Sequence, residues 1–210
     1  MTSIPVNAER SYSVNLTTSW SDDLARMCEG RSRVAVIVSE SYSPDLAGLR
    51  NMDSELHVFQ VPDGEDAKNI ATLNKVWNWL GAAGFTRSDL IVGIGGGAVT
   101  DLAGFAAASW LRGVDWIAVP TSLAGMVDAS IGGKTGINSD YGKNLIGAFH
   151  SPCAVLIDSS FLKTLSDRDF SAGMAEVIKC GFIADPKVLA LAADHSVASL
   201  RKNSDVLVEL

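Results

Sequence analysis

Three glycines, Gly95, Gly96 and Gly97, stand between an unbroken branched run at 90–94 and an Ala- and Leu-rich stretch at 98–108. A buried parallel strand that turns through glycines into a helix is an anion site by construction. The first amides of the helix have no partner within it, the positive end of its dipole faces outward, and the missing Cβ atoms let a phosphate reach the backbone. Asp101 falls in the first turn of that helix, placed to meet whatever docks there. The alternative is a turn that packs helix on strand and holds no ligand. Gly93-x-Gly95-x-x-Ala98 also fits a loose dinucleotide pattern, which asks for an acid about 20 residues further on, at the far end of the next strand. Asp115 has the spacing but begins its strand, at the wrong edge of the sheet. A nucleotide would be held by other groups, with Glu40 and the turn from Asp63 through Glu65 to Lys68 as candidates at the correct edge.

A second constellation reads Asp128-x-x-x-Gly132-Gly133-Lys134-Thr135-Gly136-x-Asn138, followed by Gly142-Lys143-Asn144. A Walker motif needs Gly where Asp128 stands, so an NTPase reading fails. Lys134 and Lys143 suit a phosphate or a carboxylate as point charges, or they are solvated loop lysines. In a third group, Glu176 and Lys179 lie three apart and share a helix face. They form an intrahelical ion pair, or Glu176 is a metal carboxylate that needs two or three further ligands. His57, His150 and His195 make no H-x-x-x-H pair, so no complete metal site is readable.

These groups need a scaffold, and the hydrophobic periodicity outlines one. Alternation over 12–16 predicts an edge strand, 22–28 a short helix stopped at Gly30, and 33–38 a buried strand. Ser43-Pro44 opens a helix to about 51, 57–61 is a strand, and Pro62-Asp63-Gly64-Glu65 is a turn. A long amphipathic helix is expected over 66–83, with Ile70, Leu73, Val76, Trp77 and Leu80 on one face and Gly84 closing it. Strands are predicted at 114–119 and 154–158, with an irregular, glycine-rich segment over 120–150 between them. Such a segment inside a compact domain is usually functional. Helices are predicted at 170–182, 187–193 and 197–210.

The fold class is α/β: a Rossmann-like, doubly wound parallel sheet over 1–165, then the start of an all-α domain over 166–210. The last helix ends in mid-pattern, with no Gly, Asn or basic residue to close it, and the helices after 166 are too few for a second core. The helical domain is therefore expected to be truncated.

With 47% hydrophobic and 20% charged residues the chain can bury an ordinary core. Its 24 acids against 17 bases, a formal charge of −7, speak against nucleic acid as a partner. Cys28, Cys153 and Cys180 are widely spaced without a C-x-x-C pair and are expected to be reduced, with Cys153 and Cys180 as buried, inert thiols in apolar neighbourhoods. No signal-peptide pattern and no apolar run near the roughly 20 residues of a membrane span is present, so a cytoplasmic protein without a membrane partner is expected.

The blocks D-G-E-D-A-K (63–68), G-G-G-A-V-T-D-L-A-G-F-A-A-A (95–108), R-G (112–113), P-T-S-L (120–123) and V-D-A-S-I-G-G-K-T-G-I-N (127–138) continue as G-K-N-L-I-G-A-F (142–149), L-K-T-L (162–165) and S-A-G-M-A-E-V-I-K (171–179). In this order and spacing they closely resemble the 3-dehydroquinate synthase family, NAD- and metal-dependent sugar-phosphate cyclases of the shikimate pathway. The resemblance implies that NAD is held by Asp63, Glu65, Lys68, Gly95, Gly96, Gly97, Asp101, Thr121, Ser122, Phe161 and Thr164, with Lys134 and Lys143 also at the cofactor. It implies that a phosphorylated seven-carbon sugar acid meets Asp128, Lys134, Lys143, Asn144 and Lys179, with Arg112 reaching in from a neighbouring subunit of a homodimer or from an adjacent loop. Glu176 would be one of three ligands of a zinc or cobalt ion. The family's reaction oxidises a ring hydroxyl with NAD+, eliminates phosphate, reduces the ketone and closes the carbocycle. Its two zinc histidines lie beyond the point where this chain ends, which implies a chain inactive on its own. Ser122 stands where Thr is common, and the hydroxyl survives. Other sugar-phosphate cyclases would use the same loops.

Overall fold

The computed structural model describes residues 2–50, 52–201 and 203–209. Its strands are β1 (Thr2–Val6), β2 (Tyr12–Thr17), β3 (Arg33–Ser39), β4 (Glu55–Val61), β5 (Leu90–Gly95), β6 (Asp115–Pro120), β7 (Lys134–Ser139), β8 (Gly142–Phe149) and β9 (Ala154–Asp158). Seven form one sheet in the order β1-β2-β9-β6-β5-β3-β4, parallel throughout except for the β1–β2 pair; β7 and β8 form a separate antiparallel hairpin. The longest branched runs, in β3, β5 and β6, take the middle of the sheet, where helices cover both faces and the side chains of Val36, Val92 and Ile117 are buried. The helices are α1 (Trp20–Met27), α2 (Ala47–Arg50), α3 (Ile70–Ala82), α4 (Gly97–Ser109), α5 (Asp167–Ile183), α6 (Pro186–Ala193), α7 (Val197–Leu200) and α8 (Ser204–Glu209).

Several expectations are corrected. Residues 12–16 do not form an edge strand: β2 lies between β1 and β9, and Thr2–Val6, which holds Pro5, takes the edge, where sheets tolerate proline. The helix expected from Ser43 shrinks to α2, after the Asp45 carboxylate accepts the Ala47 amide at 2.9 Å; Asn51 lies outside the described residues. The helix expected over 66–83 begins only at Ile70, because Asn69 caps it, accepting the Thr72 amide at 2.8 Å, and Gly64–Ala67 is a separate 3-10 turn. Ile70 is 57% exposed, so the buried stripe is Leu73, Val76 and Leu80, with Trp77 at its margin.

The segment 120–150 is not irregular but holds a π-turn, Gly125–Ala129, and the hairpin. Its strands carry no alternation because β8 is exposed along almost its whole length, and the two strands cross at glycines. A Cβ on Gly147 would lie 2.1 Å from the Thr135 carbonyl oxygen. Glycine thus permits the hairpin and hides its signal. Ser166 caps α5, accepting the Asp169 amide at 3.1 Å. The single helix expected over 197–210 is instead α7 and α8, with Lys202 and Leu210 outside the described residues. Arg201 after α7 donates to the Leu165 carbonyl and pairs with Asp167, which ties this end back to the start of α5.

The cysteines also differ from expectation. Cys180 is exposed on α5, and Cys153 is half-buried, its thiol donating to the Trp116 carbonyl at 3.1 Å. Cys28 is the enclosed one, and burial pushes its thiol up to about 12. No helix among the described residues is long and apolar enough to cross a membrane.

Asp115, at the start of β6, serves the fold. Arg10 and Arg31 each reach it at 2.5 Å. Burial raises its carboxyl, but the hydrogen bonds and charges of the two guanidinium groups outweigh this and hold it below the ordinary 3.8. The folded state therefore binds the proton more weakly than the unfolded one, and the stabilisation is present above pH 3.8 and lost as pH falls through the folded value. Asp115→Asn is expected to lower the unfolding free energy by about 1 kcal/mol at pH 7, the half-exposed Arg10 being partly screened. Urea unfolding should show the gap to wild type closing below pH 4; a gap unchanged down to pH 3 would refute the assignment.

Candidate functional site

The parallel strands aim their carboxyl ends at one edge of the sheet, where ligands collect in open α/β folds. At this edge β4 runs into the Gly64–Ala67 turn with Glu65 and Lys68, β5 into Gly95–Gly97, β6 into Thr121 and Ser122, and β9 into the Ser159–Thr164 turn. Asp115 and Arg112 are at the opposite edge, with the 13-residue α4, about 20 Å long, between Arg112 and the glycine turn. The chain thus does not bring its own Arg112 to this site.

The three glycines divide the work. A Cβ on Gly95 would lie 2.8 Å from Val99, and one on Gly93 would lie 2.7 Å from Ala103, so both let α4 pack onto β5. Gly96 is the N-cap of α4 and offers no side chain to it. The amides of Gly97 and Ala98 carry no partner among the described residues, as the first turn of a helix dictates. They face an open edge, which is the geometry of a phosphate site.

Lys68 is 2% exposed, and its ammonium donates to the Asp101 carboxylate and to Oδ1 of Asn144, each at 2.5 Å. Burial lifts the Asp101 carboxyl above its ordinary range against the pull of Lys68, and the charges of Glu65 and Asp128 add to the rise. Beside them opens a cleft of about 460 Å³, lined by Asp101, Asp128, Lys134, Thr135 and Asn144, with Ile131, Leu145 and Phe149 on its apolar side. Lys134 and Lys143 are both exposed on the hairpin, Lys134 in the cleft wall and Lys143 outside it. From α5, Lys179 donates to Asp128 at 3.1 Å and to Glu176. Glu176 and then Asp128 hold its ammonium far above the ordinary lysine range, so it remains charged. Lysines beside carboxylates suit a polyhydroxylated, phosphorylated ligand: ammonium groups meet the anion, and carboxylates accept from hydroxyls.

The remaining candidates are placed as follows. Asp63 accepts from Ser41 Oγ at 2.6 Å, a bond that draws its carboxyl below the ordinary range. Phe161 is buried against Trp20 and Tyr42, and Thr164 spends its hydroxyl on the Phe161 carbonyl, so that turn faces the edge through backbone. The histidines lie on other elements than Glu176: the His150 ring sits 2.8 Å from the Val114 carbonyl, His57 lies on β4, and His195 lies between α6 and α7. Among the described residues no group of three His, Cys, Asp or Glu could hold a metal ion. Ser41, Thr135 and Asn138 join the site without having been assigned a role from sequence.

A parallel α/β sheet with a glycine-rich turn into a helix N-terminus at the carboxyl edge of its strands defines the Rossmann-like class. Residues 58–172 match the family described as 3-dehydroquinate synthase N-terminal. The chain belongs to the 3-dehydroquinate synthase family. It is 46% identical over 211 residues to the 3-dehydroquinate synthase of Mycolicibacterium vanbaalenii, covering 99% of this chain and 59% of that one. Among solved structures, 2-epi-5-epi-valiolone synthase from Streptomyces hygroscopicus subsp. jinggangensis, with NAD+ and Zn2+ bound, superimposes with a TM-score of 0.86 at 32% identity, over 98% of this chain and 59% of that one. A 2-deoxy-scyllo-inosose synthase complexed with carbaglucose-6-phosphate, NAD+ and Co2+ gives 0.77 at 26% identity, over 85% and 51%. The chain therefore spans less than two thirds of these relatives.

Proposed function

We propose that this chain forms the dinucleotide-binding part of a 3-dehydroquinate synthase, which converts 3-deoxy-D-arabino-heptulosonate 7-phosphate to 3-dehydroquinate with loss of phosphate. The observation that carries this reading is the uncapped N-terminus of α4 next to the Lys68–Asp101 pair and the lysine-bearing cleft. The residues fit NAD: the Gly97 and Ala98 amides would meet its pyrophosphate, with Glu65, Thr121 and Ser122 around the rest of the dinucleotide. NAD+ would supply the hydride acceptor for oxidising a ring hydroxyl. Lys134 and Lys143 would hold phosphate and carboxylate, and Asp128 and Lys179 would orient the hydroxyls. Arg112 would belong to the site of a neighbouring subunit in a cytoplasmic homodimer. Residues 1–165 would be the NAD-binding domain and 166–210 the beginning of the helical one.

The residues present do not fit the metal. Glu176 and Asp128 are both paired with the Lys179 ammonium, and among the described residues no third carboxylate, histidine or cysteine joins them to make a metal site. A second reading, another sugar-phosphate cyclase, draws on the likeness to the valiolone synthase; turnover of sedoheptulose 7-phosphate in place of the heptulosonate phosphate would favour it.

Calorimetric titration of the folded chain with NAD+ is expected to show saturable binding, and absence of heat in a sample with a cooperative melt would overturn the reading. With NAD+ and zinc or cobalt added, no phosphate release from the heptulosonate phosphate is expected of this chain alone. Release would mean that the residues present do build a working metal site.

A further inference from the structure

Asn138 sits at an irregularity in the β7–β8 ladder. Ile137 faces Ile146 and Ser139 faces Gly142, so Lys143, Asn144 and Leu145 stand against Asn138 alone. Such bulges re-aim side chains. Asn138 here makes three bonds out of the ladder: its amide N–H donates to the Lys68 carbonyl at 2.8 Å, Nδ2 donates to Glu65 Oε2 at 2.7 Å, and Oδ1 accepts from the Asn144 amide at 2.9 Å. A carboxylate on one side and an N–H on the other leave one orientation for the side-chain amide. Asn144 takes the left-handed conformation, with φ +58, and turns its own Oδ1 to Lys68. The ring Glu65–Asn138–Asn144–Lys68 thus joins the turn after β4 to the hairpin, and Asn138 itself does not line the cleft.

We infer that Asn138 is a positioning residue that locks the cofactor turn to the substrate arm, so that dinucleotide binding at Glu65 orders Lys143 and Asn144 for a phosphorylated ligand, with the buried Lys68 holding Asn144 from beneath. This rests on the NAD reading above. Glu65 and Asn138 meet at the surface, so each bond alone is modest; the coupling comes from three bonds sharing one residue.

The test follows NAD+ affinity by calorimetry together with amide hydrogen exchange. In the wild-type chain NAD+ should slow exchange at 142–149. Asn138→Ala should weaken NAD+ about tenfold, speed exchange at 142–149 in the free protein, and make it indifferent to NAD+. Asn138→Asp keeps the acceptor for the Asn144 amide and sets a carboxylate against Glu65. Its arm should stay as protected as in wild type while NAD+ affinity falls at least as far. A plain loss of stability would instead raise exchange across the central strands too. If wild type binds NAD+ and Asn138→Ala changes neither affinity nor arm exchange, the positioning role is overturned and the function stands. If wild type does not bind NAD+, the function falls, and unchanged arm exchange in the free variant would overturn the lock separately.

Discussion

Gly96→Asp is expected to leave the chain as stable as wild type, or slightly more so, while lowering NAD+ affinity at least about a hundredfold. Gly96 has φ −68 and ψ 177, extended backbone open to any residue, and an added Cβ would sit 3.4 Å from Ser122 Oγ, an ordinary contact. Aspartate is a better N-cap than glycine by a few tenths of a kcal/mol, and the helix dipole favours its charge. The same charge would occupy the place proposed for the pyrophosphate. Two like charges about 4 Å apart near a protein surface repel by roughly 4 kcal/mol, which exceeds the loss claimed. Gly96→Asn separates charge from bulk, since it caps equally well and should keep most of the affinity. Calorimetry with NAD+ and urea unfolding of the three proteins decide the matter. Undiminished binding by the aspartate variant would remove the N-terminus of α4 as the anion site.

Lys68→Met should lower stability by about 2–3 kcal/mol near pH 8, because it strands the Asp101 carboxylate, which is 18% exposed toward the cleft. The loss should shrink in acid. Asp101 already titrates above the ordinary 3.8 in the folded chain, and without Lys68 it rises further. Between the unfolded and folded values the native state holds more protons than the unfolded state, so stability falls as pH rises through that window and recovers as pH falls. Urea unfolding at pH 8 and pH 5 should show a smaller deficit at pH 5. Adding Asp101→Asn to Lys68→Met should restore most of the loss. Equal deficits at both pH values would show that lost packing, not a stranded charge, is the cause.

What the sequence made legible was whatever rests on local pattern. The run at 90–94, the three glycines and the helix after them read correctly because a doubly covered strand has to be apolar throughout, and because the turn demands glycine. Asp115 could be rejected as a ribose ligand from its place in the strand alone, and the structure puts it in an arginine pair instead. The hairpin was hidden, since an exposed strand such as β8 needs no alternation and its glycines read as loop. α3 starts four residues later than its pattern predicts because acidic residues in a 3-10 turn resemble a helix N-terminus; the decisive signal is the cap at Asn69. Contacts such as Lys68 with Asp101, or Asn138 with Glu65, join residues far apart in the chain, and no periodicity encodes them. Asn138 was visible as a residue, but its use depends on a bulge that sequence does not announce.

The placement of β2 between β1 and β9 has a consequence for the order of assembly. During synthesis β3, β4, β5 and β6 leave the ribosome within one stretch and can pair at once, with the glycine turn already formed. The first two strands emerge earlier still, yet β2 has no place in the sheet until residues 154–158 arrive, when Asn15 can donate to the Val155 carbonyl. Tyr12 likewise waits some 120 residues for its hydroxyl to accept the Gly132 amide at the root of the hairpin. Contacts so distant in sequence follow local ones, so the opening strands of the chain are expected to join the sheet last. On that order the nascent anion site stands before the arm that serves it is anchored.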